Sequence, residues 1–329
     1  MVRIIFVLLF SFAHAALAQL PFTEQQFLAK LQPGGGLPSE LLKSKSVVFH
    51  TYNLTDKELE TIQKGFQRTG IDAVTYYDAN YVCAGRDVLV KLAGTLNRRE
   101  IENLIYIQKD NDAFHFYIMP YNKKANLVED VQPAWTDRHR ALDYLLQQLY
   151  RKAASELKNE NLLINDLAET GFSVNIIEGN RNEFYAIDLK VDMLAVPKFG
   201  IEEMDQQLEE IMKQFPYKYA LTEAHLSEAD LRKQGYFYVL RFVRAKNKVA
   251  REILDYENKR PSNAFVSVRY IDKVPALKSI HQNDIVFKFY FKHIDSGNVF
   301  LGTKWDADQD WLQALQNQLT GYKIEFRLE

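Results

Sequence analysis

Asp56-x-x-Leu59-Glu60-x-Ile62-x-Lys64-x-Phe66 and Asp205-x-x-Leu208-Glu209-x-Ile211-x-Lys213-x-Phe215 share six identities in eleven positions at an offset of 149. Leu59, Ile62 and Phe66 recur at helical spacing, so each window reads as one amphipathic helix with its apolar stripe turned to a core. In the first window Thr55 and Asp56 stand where an N-cap is needed, and Gly70 follows as a stop. Two further matches keep the same order. Asn111-Asp112 leads into Phe114-His115-Phe116-Tyr117, and Asn283-Asp284 leads into Phe287-Lys288-Phe289-Tyr290. Trp135 is followed by Leu142, Leu145 and Leu149, and Trp305 by Leu312, Leu315 and Leu319, at identical steps. Three ordered matches predict an internal duplication whose period is that of a domain, not of a short solenoid repeat. The growing offset predicts an insertion in the second copy, within Lys246 to Pro275.

Around the first helix, Val47 to Tyr52, Ala73 to Tyr77 and Asp87 to Leu92 read as strands, and Leu104 to Ile107 with Phe114 to Met119 as a hairpin. A long helix is expected from about Asp137 to Leu157. The fold class is therefore α/β of the α+β type: two related domains, each a mixed sheet with two helices packed on one face. Residues 41–158 form the first domain, 159–184 a connector and 185–329 the second, with 19–40 as a linker or N-terminal arm. Gly34, Gly35 and Gly36 in that arm do not make a phosphate loop, because no strand precedes them and no Gly-Lys-Ser/Thr follows. The element order is similar to that of the small α/β domains in envelope proteins of the curli-secretion lipoprotein and Tol-associated kind. That resemblance lies in element order alone and assigns no residue a role.

Arg3, the apolar run Ile4 to Phe12 and the small residues Ala16 and Ala18 before Gln19 have the three-part layout of an export signal. Cleavage is expected after Ala18, with Ala15 as the other site, so residues 1–18 are read as a signal peptide. The apolar run is too short for a spanning helix, which needs about 20 residues. The mature chain is expected to carry no transmembrane segment. Cys83 is the single cysteine, flanked by Val82 and Ala84, and reads as a buried thiol. With 41 basic against 43 acidic side chains, the chain offers no basic field for nucleic acid.

No residue pattern nominates a catalytic or metal site, and no cofactor is expected. His50, His115, His139, His225, His281 and His293 stand in no paired ligand spacing. Asp306-Ala-Asp308-Gln-Asp310 begins like a calcium loop but has Trp311 where the glycine belongs, so Asp306 or Asp308 is expected to cap the last helix. Asp188, Lys190 and Asp192 would share one face of a strand as an exposed ion-pair row. Trp135 and Trp305 are expected to close the ends of the two cores, with His115 and Lys288 on the strand faces away from the aromatic residues. Asn53-Leu54-Thr55 matches a glycosylation acceptor. Export, duplication and the lack of a reaction motif together predict a non-catalytic binding or assembly module of the envelope or exterior. Its partner would be an envelope or extracellular protein or polymer. The alternatives are a secreted hydrolase with a dispersed active site, or a small-molecule binder using an inter-domain cleft.

Overall fold

The computed structural model describes residues 22–111, 113–170, 174–256, 262–271 and 274–328. The export signal read in residues 1–18 lies outside them. In chain order the first half holds α1 (Glu24–Ala29), β1 (Leu31–Pro33), β2 (Lys45–His50), α2 (Asp56–Thr69), β3 (Asp72–Asp78), α3 (Arg86–Arg98), β4 (Ile101–Lys109), β5 (Phe114–Pro120), β6 (Gln132–His139) and α4 (Leu142–Glu156). The second half holds β7 (Arg181–Asn182), β8 (Leu194–Pro197), α5 (Glu202–Met212), β9 (Tyr219–Thr222), α6 (Glu228–Lys233), β10 (Tyr238–Lys246) and α7 (Asn247–Ile253). It continues with β11 (Ala264–Ile271), β12 (Val274–His281), β13 (Ile285–His293), β14 (Val299–Phe300) and α8 (Trp311–Glu325).

The protein is α/β, with two six-stranded mixed sheets among the described residues, ordered β1-β6-β5-β4-β2-β3 and β7-β14-β13-β10-β8-β9. Read from β1 and from β7, neighbouring strands pair parallel, antiparallel, antiparallel, parallel and parallel in both sheets. A hairpin of β11 and β12 stands apart as a two-stranded sheet. With α7 it lies between β10 and β13, inside the stretch where an insertion is expected; β4 and β5 are joined by residues 110–113 alone. Among the described residues no helix is long and apolar enough to cross a membrane.

Local sequence accounts for α2. Thr55 and Glu58 form a capping box at its start, and Gly70 closes it at φ 93°, where a side chain would be strained. The central strands are buried on both faces: Val47, Val48 and Phe49 have no exposure at all. Val48, Ile105, Ile107, Phe116 and Ile118 meet Ile62 and Phe66 of α2 and Leu145 and Leu149 of α4 on one face. Val47, Phe49, Leu104 and Tyr106 meet α3 on the other, in a cluster that also takes in Val243, Ala245 and Tyr290 of the second sheet.

Several expectations are corrected here. Asp87 to Leu92 is helical, not a strand, because Val88, Leu89, Leu92 and Leu96 are the buried positions and repeat with the period of a helix. Each sheet therefore carries helices on both faces, and two helices on a single face is too few. In the second half α5 and α8 lie over one face, while Leu231 of α6 meets Ala195 and Val239 from the other. The long helix starts at Leu142, since Asp137 belongs to β6. The arm at 19–40 contains α1 and β1, with Phe27 fully buried. Lys288 does not face solvent: it is fully buried, donating to Leu301 O at 2.7 Å and Gln318 Oε1 at 2.6 Å and pairing with Asp306 Oδ1 at 2.6 Å. Burial opposes both charges of that pair, lowering the Lys288 pKa and raising that of Asp306.

Candidate functional site

A narrow cleft lies where the N-terminal end of α3 meets the second sheet at β8 and β10. From β8 the chain crosses through α5 to β9 on one side, and α6 returns it to β10 on the other. β8 and β10 are thus parallel neighbours at which the connections part, the place where open α/β sheets leave a crevice. The crevice opens at Pro197-Lys198-Phe199, beyond the carboxyl end of β8.

Gly85 brings α3 to this edge. Its φ of 104° and ψ of 161° belong to a region that side chains avoid, and a Cβ there would overlap the carbonyl oxygen of Phe242. The floor is made by Phe199, Leu208, Leu240, Phe242 and Phe289, and the charged wall by Arg86, Lys198 and Arg241. Phe22 also lines the cleft. Its ring stacks on Phe287 at 5.3 Å and meets the edges of Phe199 and Phe242 at 4.9 and 5.5 Å. About 80 Å³ remains free beside it.

The local chain explains why Phe22 points there. Thr23 caps α1, and the Gln26 Oε1 accepts from the backbone N–H of both Thr23 and Phe22, fixing the entry direction. Phe27, one turn on, goes instead to the central cluster and packs near Tyr106. No family model matches this chain, and searches of curated proteins and of solved structures returned no significant match.

Behind the cleft lies a buried ion network. Asp87 Oδ1 is 3.1 Å from Arg241 Nε, and Asp87 Oδ2 accepts from the Tyr290 hydroxyl at 2.7 Å. Glu228 Oε1 lies 3.1 Å from both Arg241 and Lys292. Burial alone would weaken the Arg241 charge, but Asp87 and Glu228 outweigh it and hold its pKa above the ordinary value. Arg86 is left over. It donates to Ala224 O at 3.0 Å, and no carboxylate of the described residues forms an ion pair with it. Burial first, then the nearby Arg241 charge, pull its pKa down, while the Asp87 and Glu228 carboxylates act the other way without outweighing them. Lys198, by contrast, is paired with Glu223 at 3.0 Å.

The residues singled out from sequence lie elsewhere. His115 Nε2 is 2.8 Å from Asp110, His139 stacks on Tyr144 at 4.2 Å, and His293 Nδ1 is 2.9 Å from Ser296 Oγ. His281 Nδ1 accepts from the Asn283 N–H, and the carbonyl of His225 faces Arg86 at 3.5 Å. Among the described residues no group of three His, Cys, Asp or Glu side chains is placed to hold a metal ion. Asp310, not Asp306 or Asp308, caps α8 by accepting from Gln313 N at 2.8 Å. Asp306 is taken by Lys288 and Asp308 by Lys278. Asp188 and Lys190 lie in a 3-10 turn, with Asp192 just beyond it, so they form no strand face. Trp135 sits within β6 in the outer core of the first sheet, whereas Trp305 joins the central cluster beside Tyr256, so the two tryptophans fill different places. Asn53 donates its amide to Lys109 O, and Thr55 caps α2. Cys83 is buried; burial pushes its thiol up to about 12 against the pull of Arg244, 2.8 Å away.

His50 ends β2 close to the ion pair of Asp78 and Lys246. Burial lowers its pKa below 6.5, although the Thr51 carbonyl and Asp78 act the other way. Below that value the unfolded chain takes up the proton more readily, so stability falls as pH falls from about 6.5 toward the folded pKa. Urea unfolding at about pH 7.5 and 5.5 is expected to show a larger loss for the native chain than for His50→Gln; equal losses would remove His50 as the cause.

Reading the sequence alone misses Phe22, Gly85, Arg86 and Phe199. The available signal was Gly85 directly before a helical apolar period, which marks a backbone position with a special conformation. Nothing local pairs it with a strand more than 150 residues downstream.

Proposed function

We propose that this chain is an exported, non-catalytic binding or assembly module of the envelope or exterior, and that the cleft beyond β8 is where it receives its ligand. The observation that carries this reading is the cleft itself: an aromatic and aliphatic floor that already accepts the ring of Phe22. Binding needs such complementarity and no reacting atom. Duplication belongs to the same reading. The three ordered sequence matches support it, as do the shared strand order and directions and the like placement of α2 with α5 and α4 with α8. Two copies of one unit would then have diverged until the second accommodated the N-terminal segment of the first.

The test is direct binding. The chain beginning at Thr23, which lacks Phe22, is titrated with the apolar fluorophore N-phenyl-1-naphthylamine. One saturable site, weakened at least about tenfold when Phe22 is present, is the expected result. Non-saturable binding, or binding indifferent to Phe22, would refute the cleft. Turnover of ester, peptide or glycoside substrates that disappears on replacing one of the six mature histidines would refute the non-catalytic reading.

A further inference from the structure

Resting on the cleft being the binding site, we propose that its ligand is an aromatic monocarboxylate whose ring takes the place of the Phe22 ring and whose carboxylate pairs with Arg86. The ring slot is already shaped, by the stacked Phe287 and the edges of Phe199 and Phe242. Its present occupant lies outside the helix that follows it. Phe22 precedes the cap of α1, and α1 is held by its own capping box and by Phe27 in the central cluster. Releasing Phe22 therefore exposes one aromatic side chain without unwinding the helix.

Charge selects the rest of the ligand. Asp87, Arg241, Glu228 and Lys292 neutralise one another, and Lys198 has Glu223. Arg86 is the cation on the cleft wall that no described carboxylate pairs with, and a guanidinium meets a carboxylate through two parallel N–H donors. Among the described residues Arg86 is the one cation of this wall without an ion-pair partner, which matches one negative charge better than two. The 80 Å³ left beside Phe22 has room for a group of several heavy atoms, since one water needs roughly 10–15 Å³ on this scale.

A free small acid and the C-terminal residue of a peptide share this chemistry, and the experiment separates them. Trp311 lies 4.9 Å from Phe199, so its fluorescence reports on the slot. Phe22→Ala in the full chain and the chain beginning at Thr23 are each titrated with 3-phenylpropionate, 3-phenylpropionamide, and Ala-Ala-Phe with a free or amidated C-terminus, after thermal unfolding has confirmed that they are folded. The acid is expected to bind at least about tenfold tighter than its amide, and the native chain at least about tenfold weaker than Phe22→Ala. Arg86→Gln should bring the acid down to the affinity of the amide, and Arg86→Lys should restore part of the difference. A peptide acid that outbinds 3-phenylpropionate supports the proposal with a peptide C-terminus as the source; the reverse order supports it with a small acid. If acid and amide bind alike, or Arg86→Gln leaves the preference intact, the carboxylate assignment falls while the cleft stands. If neither binds to either folded variant, both fall.

Discussion

Replacing Asp87 by Ala is expected to cost about 3–5 kcal/mol of folding stability, because it leaves the buried cations Arg241 and Lys292 to share Glu228. Asp87 and Arg241 are 7% and 4% exposed, so water cannot take the place of the lost carboxylate. The same change orphans the Tyr290 hydroxyl, which is fully buried and donates to Asp87 at 2.7 Å. A double-mutant cycle separates the two losses: in a Tyr290→Phe background the Asp87→Ala cost should shrink by about 1–3 kcal/mol, the penalty for an unsatisfied buried donor. Urea midpoints with unchanged slopes measure it. A loss below about 1 kcal/mol would mean that the network is hydrated and that the halves are not joined through Asp87.

Gly85→Ala is expected to cost at least about 3 kcal/mol, more than any ordinary Gly to Ala change. Two terms add. The backbone region itself disfavours a side chain by about 1–3 kcal/mol. The new methyl would also meet the carbonyl of Phe242, a backbone atom that cannot rotate away, so α3 would have to lift from β10. Gly235 gives the control. It also has a positive φ, 91°, but no atom lies within 4 Å of its hypothetical Cβ. Gly235→Ala should therefore lose only the backbone term, about 1 kcal/mol. Similar losses at the two glycines would show that close approach at Gly85 is relieved cheaply.

Much of the architecture was legible in short stretches of chain. Thr55, the spacing of Leu59, Ile62 and Phe66, and Gly70 locate α2 closely, because caps and amphipathic period act within a few residues. Strands β2 to β5 were found from β-branched and aromatic runs, except for the exact ends. The misreadings came where a window was too short or a residue was ambiguous. Six residues from Asp87 fit a strand or a helix, and only the continuation to Leu96 decides for α3. Asp137 suits a helix cap as well as a strand end, so the last residues of β6 read as the start of the helix.

Local period and turn chemistry carry the α/β class, α2, α4, α5 and α8, strands β2 to β5 and the ordered likeness of the two halves. Which faces are dry depends on how the layers pack. Alternation in β13 shows that Phe287 and Phe289 share a face and that Lys288 opposes them, but not whether the opposing face meets water or another layer. Here it meets Asp306, Gln318 and the carbonyl of Leu301, and the lysine is buried. The cleft is of the same kind. Phe22, Arg86 and Phe199 become neighbours because the docking of α3 against β10 brings distant segments together, and that docking depends on long-range burial that no local pattern encodes.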